Sequence, residues 1–443
     1  MPVYNNFAEN SSHHYNVVNN PKYCRMTMNL QSFTEFPNAY TLEEPVIKYP
    51  FLNCLQEETL LCRLECDSCR MRRIAHQLPL VVILGPTATG KSKLGIDLAK
   101  RFNGEVINAD SMQVYKELDI VTNKPTIEER KGVPHHLIDF IDPTFESFTV
   151  QKFRALALPI IEDILSREKL PIVVGGTMYY IECLLWDFVL DGHISDSDDM
   201  WTEYEGVSSE ELHERLKSID PVAADLRHPN ERRKVLAALL HFDRNGEPIS
   251  QSWNRQTQTL RFYKNCLLLL DSDPDILNER INGRVEEMIS RGLLRELTMF
   301  HKSYNERRSD ADYTRGIFQS IGFKEFHDYL FSSYDFQNSD QGTRLLKEGI
   351  ENLKLVTRRY AKKQRKWINN RFLTVPHIPP IYKFDSSDPS QWETSVLAPA
   401  VSVVESIIND EEVLQEPFSK DPSSVNPHSR YIIFASIKQF FSS

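Results

Sequence analysis

A glycine-rich segment constrains the fold of this 443-residue chain more than any other feature. It reads Gly85-Pro86-Thr87-Ala88-Thr89-Gly90-Lys91-Ser92 and fits the pattern G-x-x-x-x-G-K-[ST]. The apolar run 80–84 precedes it, as a buried parallel strand would, and helix-forming residues follow it. In this context successive backbone N–H groups and the positive end of the helix point at one place. The segment therefore predicts a diphosphate-binding site in an α/β fold.

Two side chains of this segment have predicted roles of their own. We expect Lys91 to reach the terminal phosphate and the Ser92 hydroxyl to be a ligand of Mg²⁺, the predicted cofactor. A chance glycine turn is the alternative, and the strand and helix on either side of the segment disfavour it. The motif does not identify which diphosphate is bound.

Strands and helices alternate after the glycine-rich segment. We predict strands at 106–107, 171–174 and 267–270 and a helix at 150–167, with polar segments of helical length between the last two strands. This order predicts an α/β fold with a P-loop NTPase-like parallel sheet core and an inserted helical domain.

The predicted domain boundaries follow from these changes of pattern. They are an irregular N-terminal extension at 1–78, the first part of the core at 79–190, a helical insertion at 191–261, core completion with basic helices at 262–384, and an acidic, weakly ordered tail at 385–443. The tail is predicted because residues 384–416 include eight acidic residues and no Lys or Arg.

Composition excludes some classes of protein. The chain is 41% hydrophobic and 26% charged, which is typical of a soluble globular protein, and it contains no stretch of about 18 apolar residues that predicts a membrane span. Its seven cysteines favour a reducing compartment, and no signal peptide is expected. We expect a cytoplasmic monomer, with a mitochondrial location left open. A net charge of −10 leaves room for a local basic surface that binds RNA.

Two groups of residues resemble metal ligands. Cys62, Cys66 and Cys69, with Cys54, have spacings that iron–sulfur clusters and zinc sites also use, but coincidence or a structural thiol group is the favoured interpretation. His135 and His136 are adjacent, so in a strand they would face opposite sides and would not share one metal.

Two polar residues follow predicted strands at the edge of the sheet where ligands bind. Asp110 is suited to be a general base or an outer-shell magnesium partner, and a turn-capping role is equally consistent with its position. Thr177 stands where many P-loop nucleotidases place an Asp that holds magnesium through water. This exchange disfavours ATP hydrolysis and favours holding a diphosphate as leaving group.

With these motifs the chain resembles the tRNA dimethylallyltransferase family, also called tRNA isopentenyltransferases. The resemblance covers residues 80–384 and rests on seven motifs in order. They are the P-loop, Asp110-Ser111-Met112-Gln113-Val114-Tyr115, Pro134-His135-His136-Leu137-Ile138-Asp139, Gly175-Gly176-Thr177, His228-Pro229-Asn230, Ser320-Ile321-Gly322-Phe323-Lys324-Glu325 and Thr357-Arg358-Arg359-Tyr360-Ala361-Lys362-Lys363-Gln364.

The resemblance implies an activity and two catalytic residues. The expected reaction transfers a dimethylallyl group from dimethylallyl diphosphate to N6 of adenine 37, beside the anticodon of tRNA. Asp110 is expected to accept the proton of the amine, and Thr177 to position the diphosphate. The adenine must leave its stack, because a stacked base does not present this amine to a buried carbon.

The resemblance also implies a surface that binds the anticodon stem-loop, and it assigns part of that surface to the helical insertion at 191–261. The expected tRNA-binding residues are Asp110, Ser111, Met112, Gln113, Arg233, Lys234, Gln319, Arg358, Lys362, Lys363 and Gln364. Residues 354–371 contain eight basic and no acidic residues, with Tyr360 and Trp367 among them. Such a segment suits phosphate contacts and base stacking, although most charge runs are solvated helix faces.

Three rival functions are consistent with some of the same residues. A prenyltransferase acting on free adenine nucleotides would not need the basic segment, and a P-loop kinase would need ATP turnover and a magnesium-holding Asp in place of Thr177. A non-catalytic RNA-binding protein would not need Lys91, Ser92, Asp110 and Thr177 intact.

Overall fold

The computed structural model describes residues 78–418, apart from 146–147, 187–203, 205, 252–259, 306–312, 314 and 374–377. The predicted N-terminal extension, apart from residue 78, and the four cysteines of its possible metal group lie outside the described residues. In the described part, no helix has the length and hydropathy that crossing a membrane requires.

The centre of the fold is a parallel sheet of six strands in the spatial order β3-β2-β4-β1-β5-β6. The strands are β1 (Leu80–Leu84), β2 (Glu105–Asn108), β3 (His135–His136), β4 (Pro171–Val174), β5 (Asn265–Asp271) and β6 (Ile381–Asp385). The predicted parallel α/β fold is confirmed, as are the four strands expected from their apolar runs. Sequence reasoning missed β3, which has two residues, and β6.

Helices surround the sheet and extend beyond it. They are α1 (Lys91–Arg101), α2 (Ile127–Arg130), α3 (Val150–Ser166), α4 (Met178–Leu185), α5 (Ser209–Ile219), α6 (Pro221–Asp225), α7 (Arg232–Asn245), α8 (Pro274–Ser290), α9 (Leu293–Phe300), α10 (His327–Leu330), α11 (Tyr334–Gln337), α12 (Asp340–Trp367) and α13 (Ala398–Ile408). Short 3₁₀ turns lie at Gly316–Gln319, Lys324–Phe326 and Pro389–Gln391, and π-helical turns at His301–Asn305, Ile368–Phe372 and Trp392–Leu397.

Both faces of the sheet are covered by helices. Alternate residues of each strand point to opposite faces, so each face presents its own apolar side chains. On one face Val82 and its neighbours pack against Phe153 of α3 and Ile181 of α4. On the other face Val81 packs with Leu94 of α1 and with residues of α13. This double coverage explains why the strands are continuous apolar runs.

Two further apolar cores lie beside the sheet. Between α4 and β5 the described residues form α5, α6 and α7 around a core that includes Leu212, Leu216 and Leu239. A second core joins α8, α9, the 316–326 turns and α12, with Phe300 and Phe323 at its centre. Helices were expected in both regions, and the structure has them there.

The prediction of a weakly ordered tail from residue 385 is wrong for residues 385–418. The strand β6 pairs with β5, and α13 then returns over the sheet with Val403 and Val404 almost fully buried. The prediction rested on the excess of acidic residues in this segment. It overlooked the apolar residues that recur between them at helical spacing and drive packing. Residues 419–443 lie outside the described part.

Candidate active site

The glycine-rich segment forms a tight loop between β1 and α1. Gly85 has a φ of 145°, and a Cβ there would lie 2.4 Å from the carbonyl oxygen of Leu270. Gly90 has a φ of 91° at the start of α1, and Thr89 donates from its hydroxyl to the Pro86 carbonyl at 2.8 Å. Only glycine fits these conformations without strain. The N–H groups of the first turn of α1 lie next to the loop, because α1 begins directly after Gly90.

Lys91 supplies an ammonium group inside the loop. Its side chain is buried, and Nζ donates to the Pro86 carbonyl oxygen at 2.8 Å. The pKa of Lys91 is lowered to about 7, mainly by burial and also by the nearby Arg284 charge, while Asp110 opposes the shift. An anion bound beside this group would favour its charged form.

Asp110 lies at the end of β2 in an ordered turn. The Asn108 side chain accepts from the Asp110 N–H at 3.1 Å and donates to the Leu137 carbonyl at 2.8 Å. Asp110 Oδ1 in turn accepts from the Met112 N–H at 3.0 Å. Burial raises the pKa of the Asp110 carboxyl, although backbone N–H donors and Lys91 act in the opposite direction. The carboxylate is therefore held in one orientation and is more basic than an exposed one.

Thr177, the second predicted catalytic residue, is joined to the segment after Asp110. Its hydroxyl accepts from the Ser111 N–H at 2.9 Å and lies 3.0 Å from the Ser111 hydroxyl. Close approach of the two strand ends requires Gly175, where a Cβ would lie 2.1 Å from the backbone of Ala109. The structure thus brings Asp110 and Thr177 to one edge of the sheet, beside the P-loop.

Arg284 of α8 is a second cation at this site, and sequence reasoning missed it. Its Nη2 donates to the Thr87 hydroxyl at 2.8 Å, while its buried Nε has no hydrogen-bond partner among the described residues. Burial lowers the pKa of Arg284, and the Asp110 carboxylate opposes that effect. A signal was present, because Arg284 lies three residues after Ile281 and four before Met288 on the buried side of α8.

Gln364 and Tyr360 approach the same site from α12. Gln364 is fully buried, accepts from the Thr87 N–H at 2.7 Å and donates to the Gly176 carbonyl at 2.8 Å. The Tyr360 hydroxyl donates to the same carbonyl at 3.2 Å. The Gln364 side chain thus points inward between the P-loop and the end of β4 rather than lying on a surface, and its predicted contact with tRNA stays a prediction.

The basic segment 354–371 is only partly a surface. Three of its charges form ion pairs: Lys354 with Glu286 and Glu351, Arg365 with Asp271, and Arg371 with the buried Glu182. Trp367, predicted to stack on bases, is buried and donates to Glu182. Part of the basic segment is therefore engaged inside the protein, and the RNA contacts predicted for Arg358, Lys362 and Lys363 stay predictions. Lys354 and Arg365 lie on one face of α12, and Arg371 lies in the π-helical turn that follows α12.

The other face of α12 is open to solvent. Arg359, Lys362 and Lys366 are exposed, and Lys363 is half-buried. Arg358 is also half-buried and donates to Asn282 on α8. Lys362 and Lys363 thus remain candidates for phosphate contact, whereas Arg358 contributes a bond between two helices.

The other predicted tRNA-binding residues lie on several elements. Gln113 donates to the carbonyls of Thr122 and Asn123 at 3.0 Å, and Met112 packs beside the second helical core. Lys234 of α7 pairs with Glu231, and Gln319 donates weakly to Gly316 at 3.3 Å. The side chain of Arg233 lies outside the described part.

The two adjacent histidines have separate partners, as expected. His136 Nε2 lies 2.8 Å from Glu105 Oε2, and His135 Nδ1 lies 2.8 Å from the Val133 carbonyl oxygen. Among the residues that the structure describes, no three His, Cys, Asp or Glu side chains are grouped as metal ligands. A protein-only metal cage is therefore not a feature of the described site.

Comparisons with known proteins agree with this geometry. A family model described as IPP transferase matches residues 113–371, and another described as isopentenyl transferase matches residues 78–143. The chain is 46% identical over 356 residues to the tRNA dimethylallyltransferase of Mus musculus, with 76% of each chain covered. It is 44% identical over 368 residues to the enzyme of the same name from Homo sapiens, with 78% of each covered.

A solved structure is also similar. It is that of a eukaryotic dimethylallyltransferase acting on tRNA, with a TM-score of 0.69 and 36% identity, covering 77% of this chain and 82% of that one. The similarity therefore spans the sheet, the P-loop and the helices around them rather than one motif.

Proposed function

The chain belongs to the IPP transferase family, and on that premise we propose that it transfers a dimethylallyl group from dimethylallyl diphosphate to a tRNA adenine. The proposed acceptor atom is N6 of adenine 37, beside the anticodon, and diphosphate is released.

One observation carries this proposal. Lys91 and Arg284 bind the same loop, through the Pro86 carbonyl and the Thr87 hydroxyl, and the Asp110 carboxylate is near enough to influence the charge of both. Cations beside inward-pointing amides stabilise a departing anion, and a basic carboxylate accepts a proton. Transfer of an allylic group from a diphosphate to an amine needs both of these groups at one place.

The reaction follows from the positions of these groups. As the carbon–oxygen bond of the donor breaks, its electron pair stays on the diphosphate, where the loop N–H groups, Lys91 and Arg284 stabilise the added charge. The N6 lone pair bonds to the allylic carbon, and N6 becomes positive. Asp110 then accepts one proton from N6. Thr177 holds the Ser111 segment and with it the orientation of the neighbouring Asp110.

Mg²⁺ fits the site as a cation held mainly by the substrate. The exposed Ser92, at the start of α1, offers one hydroxyl oxygen, and a hard cation can complete its shell with water and diphosphate oxygens. Ser92 would hold the ion, which when bound would supply further positive charge to the leaving group.

The exposed face of α12 is the proposed contact with the anticodon stem. Arg359, Lys362 and Lys366 are suited to bind phosphates, which fix the register of a nucleic acid without reading its sequence. The target base must then turn out of its stack to reach Asp110.

Purified protein, Mg²⁺, dimethylallyl diphosphate and a tRNA with adenine at position 37 test the proposal. We expect prenylated adenosine in the digested tRNA, and we expect Asp110→Ala and Thr177→Ala each to lower the single-turnover rate by about 100-fold or more. Asp163→Ala, at an exposed carboxylate on α3, is the control and should leave the rate unchanged.

Three outcomes would contradict the proposal. Brisk ATP hydrolysis without prenyl transfer would indicate a kinase or nucleotidase. Prenylation of free adenosine monophosphate in preference to tRNA would indicate the nucleotide-modifying alternative. Near-normal rates in both variants would show that the catalytic residues are assigned wrongly.

A further inference from the structure

We propose that Gln364 is a positioning residue that fixes the P-loop relative to the Asp110 carboxylate. This inference rests on the proposed function, because it concerns the alignment of leaving group and base. It assigns to Gln364 a role inside the site, at the inner face of the same helix whose outer face carries the proposed tRNA contacts.

The side-chain amide of Gln364 uses both of its ends. Its oxygen accepts from the Thr87 N–H at 2.7 Å, and its nitrogen donates to the Gly176 carbonyl at 2.8 Å. Thr87 belongs to the loop after β1, and Gly176 follows β4. The side chain is fully buried, so water does not compete for either bond. One amide therefore bridges the loop that binds diphosphate and the segment that carries Thr177.

The bridge continues to the proposed base through a single residue. The Gly176 N–H interacts with the Asp110 carboxylate, while the Gly176 carbonyl accepts from Gln364. A Cβ on Gly176 would lie 2.9 Å from Asp110 Oδ2 and 2.9 Å from Gln364 Nε2. The three groups are thus in close contact, and a shift of Gln364 would move the Gly176 backbone and with it the carboxylate.

Gln364 also determines which amides of the loop face the diphosphate. P-loop N–H groups ordinarily point at anionic oxygens. Here the Thr87 N–H is taken by Gln364, and the Thr87 hydroxyl is taken by Arg284 at 2.8 Å. Thr87 is therefore held from two helices, α12 and α8, and the remaining loop amides are left for the ligand.

Replacement by glutamate separates positioning from simple packing. A protonated glutamic acid at this position offers one acceptor and one donor, as glutamine does, whereas the ionised form would set a carboxylate against the Gly176 carbonyl. For Gln364→Glu we expect transfer about 100-fold slower than wild type at pH 8.5, because misplacement by about 1 Å costs that much. The ratio of variant to wild-type rate should rise at least tenfold by pH 6.

Gln364→Met is the paired variant, with similar size and no hydrogen-bonding groups. Its rate should stay low relative to wild type at every pH, with the KM for tRNA within about threefold, since no phosphate contact is lost. A matched control is Gln337→Glu, because Gln337 also donates to two backbone carbonyls and lies before the start of α12, roughly 36 Å away along that helix. This control should show no pH-dependent rescue.

Pyrophosphate binding gives a second readout that needs no prenyl transfer. The affinity for pyrophosphate is measured by calorimetry on the folded full chain and compared with that of wild type at the same pH. It should be lower in Gln364→Met at every pH and lower in Gln364→Glu only at high pH. If charge repulsion alone mattered, Gln364→Met would bind pyrophosphate as wild type does, and the inference would be overturned. Equal losses in both variants at all pH values, or a raised KM for tRNA with unchanged kcat, would overturn it too.

These two readouts also separate the inference from the proposed function. If the wild-type protein transfers no prenyl group but the two variants show the predicted pattern of pyrophosphate affinity, the function is refuted and the role of Gln364 is supported. If the wild-type protein is active but the variants do not show the pattern, only the role of Gln364 is refuted.

Discussion

Burial at the same site shifts the pKa values of Lys91 and Asp110 in the directions that favour the neutral forms. The charge of each group therefore depends on the other group and on the ligand. The lysine pKa is about 7, and the aspartate pKa lies above its ordinary value of 3.8. A diphosphate would restore the charge of Lys91, because an adjacent anion favours the protonated amine.

The affinity for pyrophosphate should therefore depend on pH near neutrality. Lys91 is protonated below pH 7 and loses its charge as pH rises through that value, so binding should weaken between pH 6 and pH 8.5. Calorimetric titration across this range would measure the effect. Lys91→Met should bind weakly with a flatter profile, and an identical slope in the variant would contradict the role given to Lys91.

The single-turnover rate should show the ionisation of Asp110 at lower pH. The base is active when ionised, so the rate should fall as pH decreases through the raised pKa of this carboxyl. Rapid-quench measurement with saturating donor and tRNA removes the contribution of binding. A rate that is constant down to the ordinary aspartate pKa would argue against Asp110 as the base.

Arg284 should contribute to donor binding through its charge and its forked geometry. We expect Arg284→Met to raise the KM for dimethylallyl diphosphate by about 10-fold to 100-fold, the range of a lost charge-assisted bond. Arg280→Met, one turn earlier on α8, removes a bond to the Ser387 carbonyl instead and should leave this KM unchanged. Equal effects of the two variants would indicate that only the stability of α8 is involved.

At the scale of elements, strand ends were easier to predict than helix faces. Asp110 and Thr177 follow apolar runs, and parallel strands deliver such residues to one edge of a sheet. Arg284 and Gln364 lie on helices, where the side that faces the site depends on packing that the sequence does not state. The sequence does not distinguish the basic residues of 354–371 that form ion pairs from those that are exposed, because the difference depends on how α12 packs against α8 and the sheet.

The exposed face of α12 makes a prediction about salt. Lys362→Ala combined with Lys366→Ala should raise the KM for tRNA and reduce the slope of log affinity against log salt by about 2, one for each lost phosphate contact. Filter binding at several salt concentrations measures this slope. Lys347→Ala, an exposed lysine in the first half of α12, is the control, and an equal slope change there would indicate only net charge.

The helix α13, the last helix of the described residues, makes a prediction about stability. Val403 is 1% exposed against the sheet, so Val403→Ala should lower the free energy of unfolding by about 1 to 3 kcal/mol. Denaturant unfolding measures this loss, and Ser402→Ala, at an exposed neighbour, should cost little. If both variants unfold like wild type, α13 does not pack on the sheet in solution.

At the scale of the molecule, the sequence predicted the sheet and the location of the site but not the full extent of the core. Four strands stood out as apolar runs, whereas the two residues of β3 form no run and β6 is interrupted by Lys383. The acidic residues near α13 hid its buried side. The P-loop alone located the ligand site, because its glycines are required by backbone geometry wherever the loop occurs.

The most direct test of the central claim follows both products of one reaction on the full chain. Wild-type protein, Mg²⁺, dimethylallyl diphosphate and tRNA should release one diphosphate for each dimethylallyl group found by mass spectrometry on N6 of adenine 37, and a tRNA with guanine at that position should remain unmodified. ATP turnover with an intact allylic donor, or a label at another base, would contradict the account.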